Sequence, residues 1–252
     1  MLLLFSSASC SKIWNSHKPE ENKIEKKEEH KPKRRVKRTP KPGRYGPTSG
    51  MSAVIEGTEY PGVPIVYHPE VNNFVRYYTK VKRMFVKEAL PRRKKYLPVM
   101  QEIFKKYGLP IELINIAFVE SRYIPTARSK DGYTTGMWQL SKVTARNYGL
   151  RVDGKVDERL DVRKSTEAAA RFLAALYDNF GDWYLVMAAY NSGPTLVQKS
   201  IDAMDAEGPL ETLDVFELTS RGFVCDITRE FVAKIGALVI ITKDLKKYDF
   251  EE

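Results

Sequence analysis

The spacing of apolar residues between Val71 and Leu245 is the feature that most limits the possible folds of this chain. In that region apolar side chains recur every three or four positions, as in Val71, Phe74 and Val75. This period is close to the 3.6 residues of a helical turn, so each segment presents one apolar face. Apart from the short stretch 51–67, the alternation typical of strands is absent. The pattern predicts a single all-α domain.

Proline and glycine residues divide this region into separate helices. Gly108 follows a periodic run and can end a helix, while Pro110 suits the first turn of the next one, where a missing amide costs little. Ser192-Gly193 separates two short helical runs in the same way. The predicted helices cover residues 72–90, 92–107, 110–121, a segment from about 144, 162–180, 183–190, 194–204 and 228–245.

The positive charge of the chain is concentrated before the helices. Residues 11–50 contain 13 Lys/Arg and 5 Asp/Glu, whereas residues 51–252 contain 29 and 27. The first segment is rich in Lys, Glu and Pro and has almost no apolar residue able to anchor a core, a composition typical of a disordered linker. A basic run can bind nucleic acid, but the helical part shows no basic excess. We therefore predict no nucleic-acid partner, and attraction to an anionic polymer or lipid surface explains the same residues.

The first ten residues, MLLLFSSASC, indicate a lipid anchor. Residues 7–10 resemble the lipobox of bacterial lipoproteins, in which small residues lead into a cysteine. The preceding apolar run is short and follows no basic residue, so either the natural start lies upstream or the resemblance is accidental. With Cys10 lipidated, Cys225 has no disulfide partner and is predicted to be a buried free thiol. The chain then divides into a partial signal at 1–10, a disordered linker at 11–50, an irregular lead-in at 51–70 and a helical domain at 71–246.

Glu120 stands at the end of the apolar face of the segment PIELINIAFVES. Helical spacing places Ile116 and Ala117 on the same face, which carries no other polar residue. A carboxylate there loses hydration, which disfavours the ionised form and raises its pKa. Such a group holds its proton closer to neutral pH than an ordinary glutamate does. The alternative is a carboxylate at the edge of the core that is satisfied by a cap or by an arginine such as Arg122 or Arg128.

Three further motifs follow Glu120-Ser121 along the chain. They are Ser129 with GMWQL at 136–140, AYNSG at 189–193 and TREFV at 228–232. In this order they resemble the lytic transglycosylases built on the lysozyme-like, helical SLT domain, most closely their membrane-bound D-type branch. The resemblance covers roughly residues 71–242. Each motif alone is weak evidence, whereas four motifs in order at family-like spacing are specific.

The resemblance implies cleavage of the β-1,4 bond between N-acetylmuramic acid and N-acetylglucosamine in peptidoglycan. Family members use one glutamate, matching Glu120, as general acid toward the leaving oxygen. The same residue then acts as base while the muramic 6-hydroxyl attacks C1, which leaves a 1,6-anhydro end. Most glycosidases need two carboxylates. A reaction whose nucleophile is the substrate's own hydroxyl manages with one, because no second carboxylate has to hold a water.

Six residues are assigned to substrate binding. They are Ser129, Gly136, Met137, Gln139, Tyr190 and Asn191. By resemblance, Ser129 and Gln139 hydrogen-bond the N-acetyl and hydroxyl groups of the sugar. The alternative for these two is an ordinary polar group of a loop or a helix start. Tyr190 and Asn191 match family residues that orient the glutamate and line the cleft.

The remaining assignments in GMWQL depend on the size and polarity of the residue at each position. Gly136 would let the backbone come close to the substrate, since it has no side chain to hold the sugar away. Met137 and Trp138 would form an apolar floor for a pyranose ring. Trp138 is equally well explained as a core residue.

Two departures from the family pattern bear on the chemistry. Phe231 stands where many relatives carry a tyrosine, so any hydrogen bond from that hydroxyl is missing. Asp131 lies in a loop that is usually neutral, and a second carboxylate near Glu120 could position a water for inverting hydrolysis, as in goose-type lysozymes. A muramidase is therefore the second hypothesis, and a cell-wall-binding protein without turnover is the third.

The sequence-based prediction is a monomeric enzyme with peptidoglycan glycan strands as its partner. We expect no cofactor and no metal, because no cluster of metal-ligating residues and no phosphate-binding loop accompanies the motifs. The predicted location is the periplasm of a Gram-negative-type envelope, where a lipid on Cys10 tethers the protein to a membrane.

Overall fold

The computed structural model describes residues 59–207 and 215–250, and this part of the chain is mostly helical. The helices are α1 (Pro69–Arg76), α2 (Arg83–Lys106), α3 (Asn115–Ser121), α4 (Lys142–Asn147), α5 (Val162–Phe180), α6 (Trp183–Ser192), α7 (Pro194–Glu207), α8 (Val215–Ser220) and α9 (Asp226–Lys243). A π-helical turn at Tyr77–Val81 joins α1 to α2, and 3₁₀ turns lie at Ile111–Ile114, Glu158–Leu160 and Lys246–Tyr248. The prediction of an all-α fold is confirmed. The predicted signal at 1–10 and linker at 11–50 lie outside the described residues.

Helix α6 forms the centre of the domain. Residues 183–189 are all buried, so this helix is covered around its whole circumference rather than along one stripe. Helices α5, α7 and α9 pack around it. The Trp183 indole donates a hydrogen bond to the Pro61 carbonyl at 2.6 Å, and the Tyr184 hydroxyl donates to the Pro64 carbonyl at 3.0 Å. The helix that ends in the AYNSG motif is therefore held firmly in the core. No helix in the two described ranges is long and apolar enough to span a membrane.

Helix α2 is longer than the sequence pattern predicts. The expected break between residues 90 and 92 is wrong, since α2 runs through both Pro91 and Pro98 and the irregularity lies earlier, at the π-helical turn. Proline inside a helix frees the carbonyl four residues before it. Here those carbonyls belong to Lys87 and Lys94, and all four residues are exposed. Water can hydrate the freed carbonyls, so the helix continues.

Residues on both sides of the predicted domain also pack against it. In the irregular lead-in, the Tyr60 hydroxyl donates to Asp178 at 3.0 Å, and Val63 is buried. At the other end, Phe250 is buried with the Arg83 guanidinium 4.5 Å from its ring centroid. Among the described residues, packing against the helices therefore reaches from Tyr60 to Phe250, beyond the predicted limits of 71 and 246.

A short β-hairpin lies between α3 and α4. Its strands are β1 (Thr134–Thr135) and β2 (Leu140–Ser141), paired antiparallel with Thr134 opposite Ser141 and Thr135 opposite Leu140. Strands of two residues are too short to show an alternating pattern, so the sequence gives no signal for them. The connection between the strands contains most of the GMWQL motif, and the hairpin thus brings that motif to the end of α3.

Cys225 contradicts the prediction of a buried free thiol. This residue is disulfide-bonded, and no described cysteine is free. It is only half-buried, and its sulfur lies 3.4 Å from the Thr228 hydroxyl. The prediction depended on lipidation of Cys10, which lies outside the described residues.

Candidate active site

The backbone turns sharply immediately after Glu120. Helix α3 ends with Arg122 and Tyr123 both in the left-handed region, at φ 55° and 59°. Non-glycine residues adopt this conformation at a cost of about 1–2 kcal/mol each. Tyr123 offsets part of that cost because its side chain is fully buried and its amide donates to the Ala117 carbonyl at 3.2 Å. Glu120 therefore lies in the last helical turn of α3, just before the chain changes direction.

Ser121 ties this helix end to the hairpin. Its hydroxyl is buried and donates to the Met137 carbonyl at 2.7 Å, while the Ser121 hydroxyl oxygen accepts from the Ile124 amide at 3.1 Å. A buried hydroxyl with both partners fixes the distance between two segments. In the Glu120-Ser121 pair, Glu120 thus lines the cleft, and Ser121 attaches the end of α3 to the GMWQL motif.

Glu120 has an unusually high pKa. Burial disfavours its ionised form and raises its pKa to about 8. Neither candidate arginine satisfies the carboxylate: Arg122 pairs with Glu88 at 3.5 Å, and Arg128 pairs with Asp157 at 3.8 Å. No hydrogen bond or ion pair within the described part of the chain holds the Glu120 carboxyl group. The structure therefore does not support the alternative in which a cap or an arginine satisfies the carboxylate.

Ser129 and Asp131 together organise the turn before β1. The Ser129 hydroxyl donates to Asp131 Oδ1 at 2.5 Å and accepts from the Thr134 amide at 3.0 Å. Asp131 Oδ1 also accepts from the Tyr133 amide at 3.0 Å. Asp131 is exposed and is not part of the cleft wall. Ser129 does line the cleft, and its contact with a sugar stays a prediction.

Gln139 adopts the left-handed conformation, at φ 47°. Its amide group accepts from the Thr134 hydroxyl at 2.8 Å and donates to the Gly136 carbonyl at 2.7 Å. These bonds close the loop between the two strands and account for the strained backbone, since residues in rare conformations persist only where several contacts hold them. Gln139 lies on the cleft wall.

Tyr190 and Asn191 approach the same cleft from the end of α6. The Tyr190 hydroxyl donates to the Trp138 carbonyl at 2.7 Å, so it bonds to the hairpin rather than to Glu120. Burial, and to a smaller extent the nearby charge of Glu120, raises the pKa of Tyr190 well above its usual value. The Thr228 hydroxyl donates to Asn191 Oδ1 at 2.9 Å, which leaves the amide nitrogen as the donor available to a ligand.

These residues enclose a cavity of about 240 Å³. Its wall includes Glu120, Ser129, Gln139, Tyr190 and Asn191, which brings together five of the predicted site residues from three separate segments. Glu120 is the one carboxylate among the described residues that line it. The volume is just below the range of about 300–1,000 Å³ typical of pockets that enclose a small molecule.

Two predicted site residues do not lie on the cleft wall. Met137 has no exposed surface, so it cannot form a floor under a sugar ring, and Trp138 is likewise a core residue that stacks on Phe104 at 5.8 Å. Gly136 is needed for a different reason from the one predicted. A Cβ there would stand 2.0 Å from the Arg159 carbonyl oxygen, so the close approach is to the protein's own backbone.

Two residues of the site have no role in the sequence-based prediction. Arg159 is a buried cation whose guanidinium pairs with both carboxylate oxygens of Asp157 at 2.9 Å and donates to the Leu140 carbonyl at 3.0 Å. It thereby holds the hairpin from behind. Tyr133 lines the cleft although it is exposed. Both positions depend on long-range packing, which periodicity within one segment does not reveal.

The helices and this single-carboxylate cleft define a lysozyme-like domain, and comparison with known proteins identifies its class. Residues 98–211 match the model of the transglycosylase SLT domain. This part of the chain is therefore similar to an SLT domain, and the resemblance to lytic transglycosylases is confirmed.

Individual known proteins are similar to this chain over part of its length. The chain is 35% identical over 167 residues to membrane-bound lytic murein transglycosylase D of Escherichia coli K12, which covers 66% of this chain and 35% of that protein. It is 42% identical over 101 residues to the peptidoglycan transglycosylase gp16 of Escherichia phage T7, covering 39% of this chain and 8% of the phage protein. A solved lytic transglycosylase Slt from Pseudomonas aeruginosa is 25% identical, with 59% of this chain and 24% of that chain covered and a TM-score of 0.46. The chain thus spans about a third of the length of transglycosylase D.

Proposed function

We propose that this protein is a peptidoglycan lytic transglycosylase that cleaves the β-1,4 bond between N-acetylmuramic acid and N-acetylglucosamine. The observation that carries the proposal is a single carboxyl group, Glu120, with its pKa raised to about 8 in a cleft that the SLT motifs line. A general acid must hold its proton at the working pH. At pH 7 this side chain is mostly protonated, whereas an ordinary glutamate would be ionised.

The reaction needs only this one group to move protons. Glu120 donates its proton to the glycosidic oxygen as the bond from that oxygen to C1 of the muramic residue breaks. The resulting Glu120 carboxylate then accepts the proton of the muramic 6-hydroxyl while O6 bonds to C1. The acid is restored, no water is consumed, and the product ends in a 1,6-anhydro ring. A partly dehydrated cleft favours this route because it limits competing attack by water.

The surroundings of Asp131 do not favour the muramidase alternative. Inverting hydrolysis needs a second carboxylate that holds a water on the opposite face of the sugar. Asp131 is exposed, accepts bonds from Ser129 and from the Tyr133 amide, and lies off the cleft wall. A desolvated, unpaired carboxyl group lowers the stability of the folded protein at neutral pH. A non-catalytic wall-binding protein would have no use for such a group in its cleft.

Mass analysis of the released muropeptides tests the proposed function. Incubation of the purified protein with peptidoglycan is expected to release muropeptides ending in 1,6-anhydro-muramic acid. Each should be lighter by one water than the corresponding product of a lysozyme, because the 6-hydroxyl replaces water as nucleophile. Reducing-end products of the higher mass would indicate the muramidase, and binding without release would indicate the non-catalytic protein.

We further propose that a lipid on Cys10 holds the enzyme at a membrane in the periplasm. Two observations support this: relatives that match the chain are named as membrane-bound, and a small-residue run leads into Cys10. When the protein is expressed with a complete signal sequence, Cys10→Ala is expected to move it from the membrane to the soluble periplasmic fraction. Fractionation and mass analysis of the N-terminal peptide measure this, and equal partitioning of both forms would contradict the anchor.

The disulfide of Cys225 competes with the proposed lipid, and the same experiment distinguishes the two states. The chain has two cysteines, so within one molecule a lipid on Cys10 and a bond from Cys10 to Cys225 exclude each other. The lipidated form should therefore contain one titratable thiol after unfolding, at Cys225. A form with no thiol and no lipid would instead support the disulfide.

A further inference from the structure

Tyr133 is an exposed aromatic residue on the wall of the cleft that contains Glu120. Its exposed fraction is 48%, and it is one of the residues that enclose the cavity. Single exposed apolar side chains are common on protein surfaces and need no explanation by themselves. Tyr133 differs from such residues because it is exposed within the site and because its backbone is held in place.

Two neighbours fix the backbone of Tyr133 from opposite sides. Its amide donates to Asp131 Oδ1 at 3.0 Å, and its carbonyl accepts from Arg159 Nη1 at 3.2 Å. The Arg159 side chain is 1% exposed and is itself held by both oxygens of Asp157. An exposed ring is therefore attached to a backbone that is hydrogen-bonded on both sides, once to the buried Arg159, which reduces the entropy lost when a ligand contacts it.

We propose that Tyr133 is a stacking platform for a pyranose ring of the glycan strand, at the edge of the cleft beside the bond to be cleaved. This inference rests on the proposed function. The face of an aromatic ring carries partial negative charge and attracts the partly positive C–H groups of a sugar face. In this arrangement Asp131 acts as a positioning residue that holds the platform, and not as a base.

Binding to purified, uncross-linked glycan strands tests this proposal. The measurements use the Glu120→Gln variant as the reference, so that the strands are not consumed. Adding Tyr133→Ala should weaken binding by about five- to tenfold, which is the scale of one aromatic contact. Adding Tyr133→Phe or Tyr133→Trp should retain most of the affinity, because each keeps a ring. In the otherwise unchanged enzyme, Tyr133→Ala should raise KM more than it lowers kcat.

Tyr67 provides a matched control. It is 76% exposed and lies off the cleft wall, so Tyr67→Ala removes an exposed tyrosine without touching the site and should leave binding unchanged. If the unchanged enzyme cleaves glycan and Tyr133→Ala binds as tightly as its reference, the platform is refuted while the proposed function stands. Equal losses in the Ala, Phe and Trp variants would also refute it, because the ring would not be the cause. A parent that neither binds nor cleaves glycan would overturn both proposals.

Discussion

Replacing Glu120 with Gln is expected to lower turnover of peptidoglycan by at least about 10²–10⁴-fold, the usual effect of losing a general acid–base group. Glutamine keeps the shape of the side chain but has no proton to transfer. The loss should lie at the upper end, since one residue serves both proton transfers. The rate of release of anhydro-muropeptides measures the effect, and affinity for intact glycan strands should persist.

The stability of the same variant provides a control that it folds. The pKa of Glu120 is raised from 4.5 to about 8 on folding, so the folded state binds a proton more tightly than the unfolded state. The contribution of this group is fully present below pH 4.5 and is lost as pH rises through 8. Glutamine does not ionise, so Glu120→Gln should match the parent at pH 4 and become increasingly more stable than the parent between pH 5 and 9.

Asp131→Asn separates the transglycosylase from the hydrolase. Asparagine keeps an oxygen that can accept from the Tyr133 amide, so the loop should retain its shape and most of the activity should remain. If reducing-end products formed and disappeared with Asp131→Asn, the enzyme would be a muramidase that uses both carboxyl groups. An active Glu120→Gln enzyme would refute both mechanisms.

Local patterns predict the helices and the place of the acid, because both depend on residues close in sequence. The 3.6-residue period shows that Glu120 shares a face with Ile116 and Ala117, and desolvation of its carboxyl group follows from that placement. The same patterns misplace the break at Pro91, because helix continuation there depends on which face of α2 meets solvent. That is decided by the helices packed on the other face.

The candidate site is less predictable than the fold, since its geometry comes from contacts between distant segments. Resemblance names Gln139 and Tyr190, but only the structure shows that the Gln139 amide closes its own loop and that the Tyr190 hydroxyl reaches the Trp138 carbonyl. The sequence-based prediction gives Arg159 no role, yet this residue supports the hairpin from the interior. A buried cation of this kind is recognisable only once its partners are known.

The role of Gly136 is likewise visible only in the structure, and replacing this residue is the second change for which we expect a large effect. Its φ of 89° is rare for residues with a side chain, and a Cβ at this position would stand 2.0 Å from the Arg159 carbonyl oxygen. That oxygen belongs to the backbone and cannot rotate away. Gly136→Ala should therefore cost about 1–2 kcal/mol for the conformation and about 1–3 kcal/mol for the displaced segment. We expect a total loss of about 2–5 kcal/mol, measured by chemical denaturation.

Gly181→Ala separates these two contributions. Gly181 has a φ of 67° and nothing within 4 Å of its Cβ position, so alanine there should cost only the conformational part, about 1–2 kcal/mol. Gly181 caps α5 and is not part of the cleft wall, so its variant should keep full turnover once folded. Gly136→Ala should lose turnover even under conditions where it stays folded, because the displaced loop carries Gln139 and the carbonyl to which Tyr190 bonds. If both variants lost the same stability, the contact with Arg159 would not be what requires glycine at position 136.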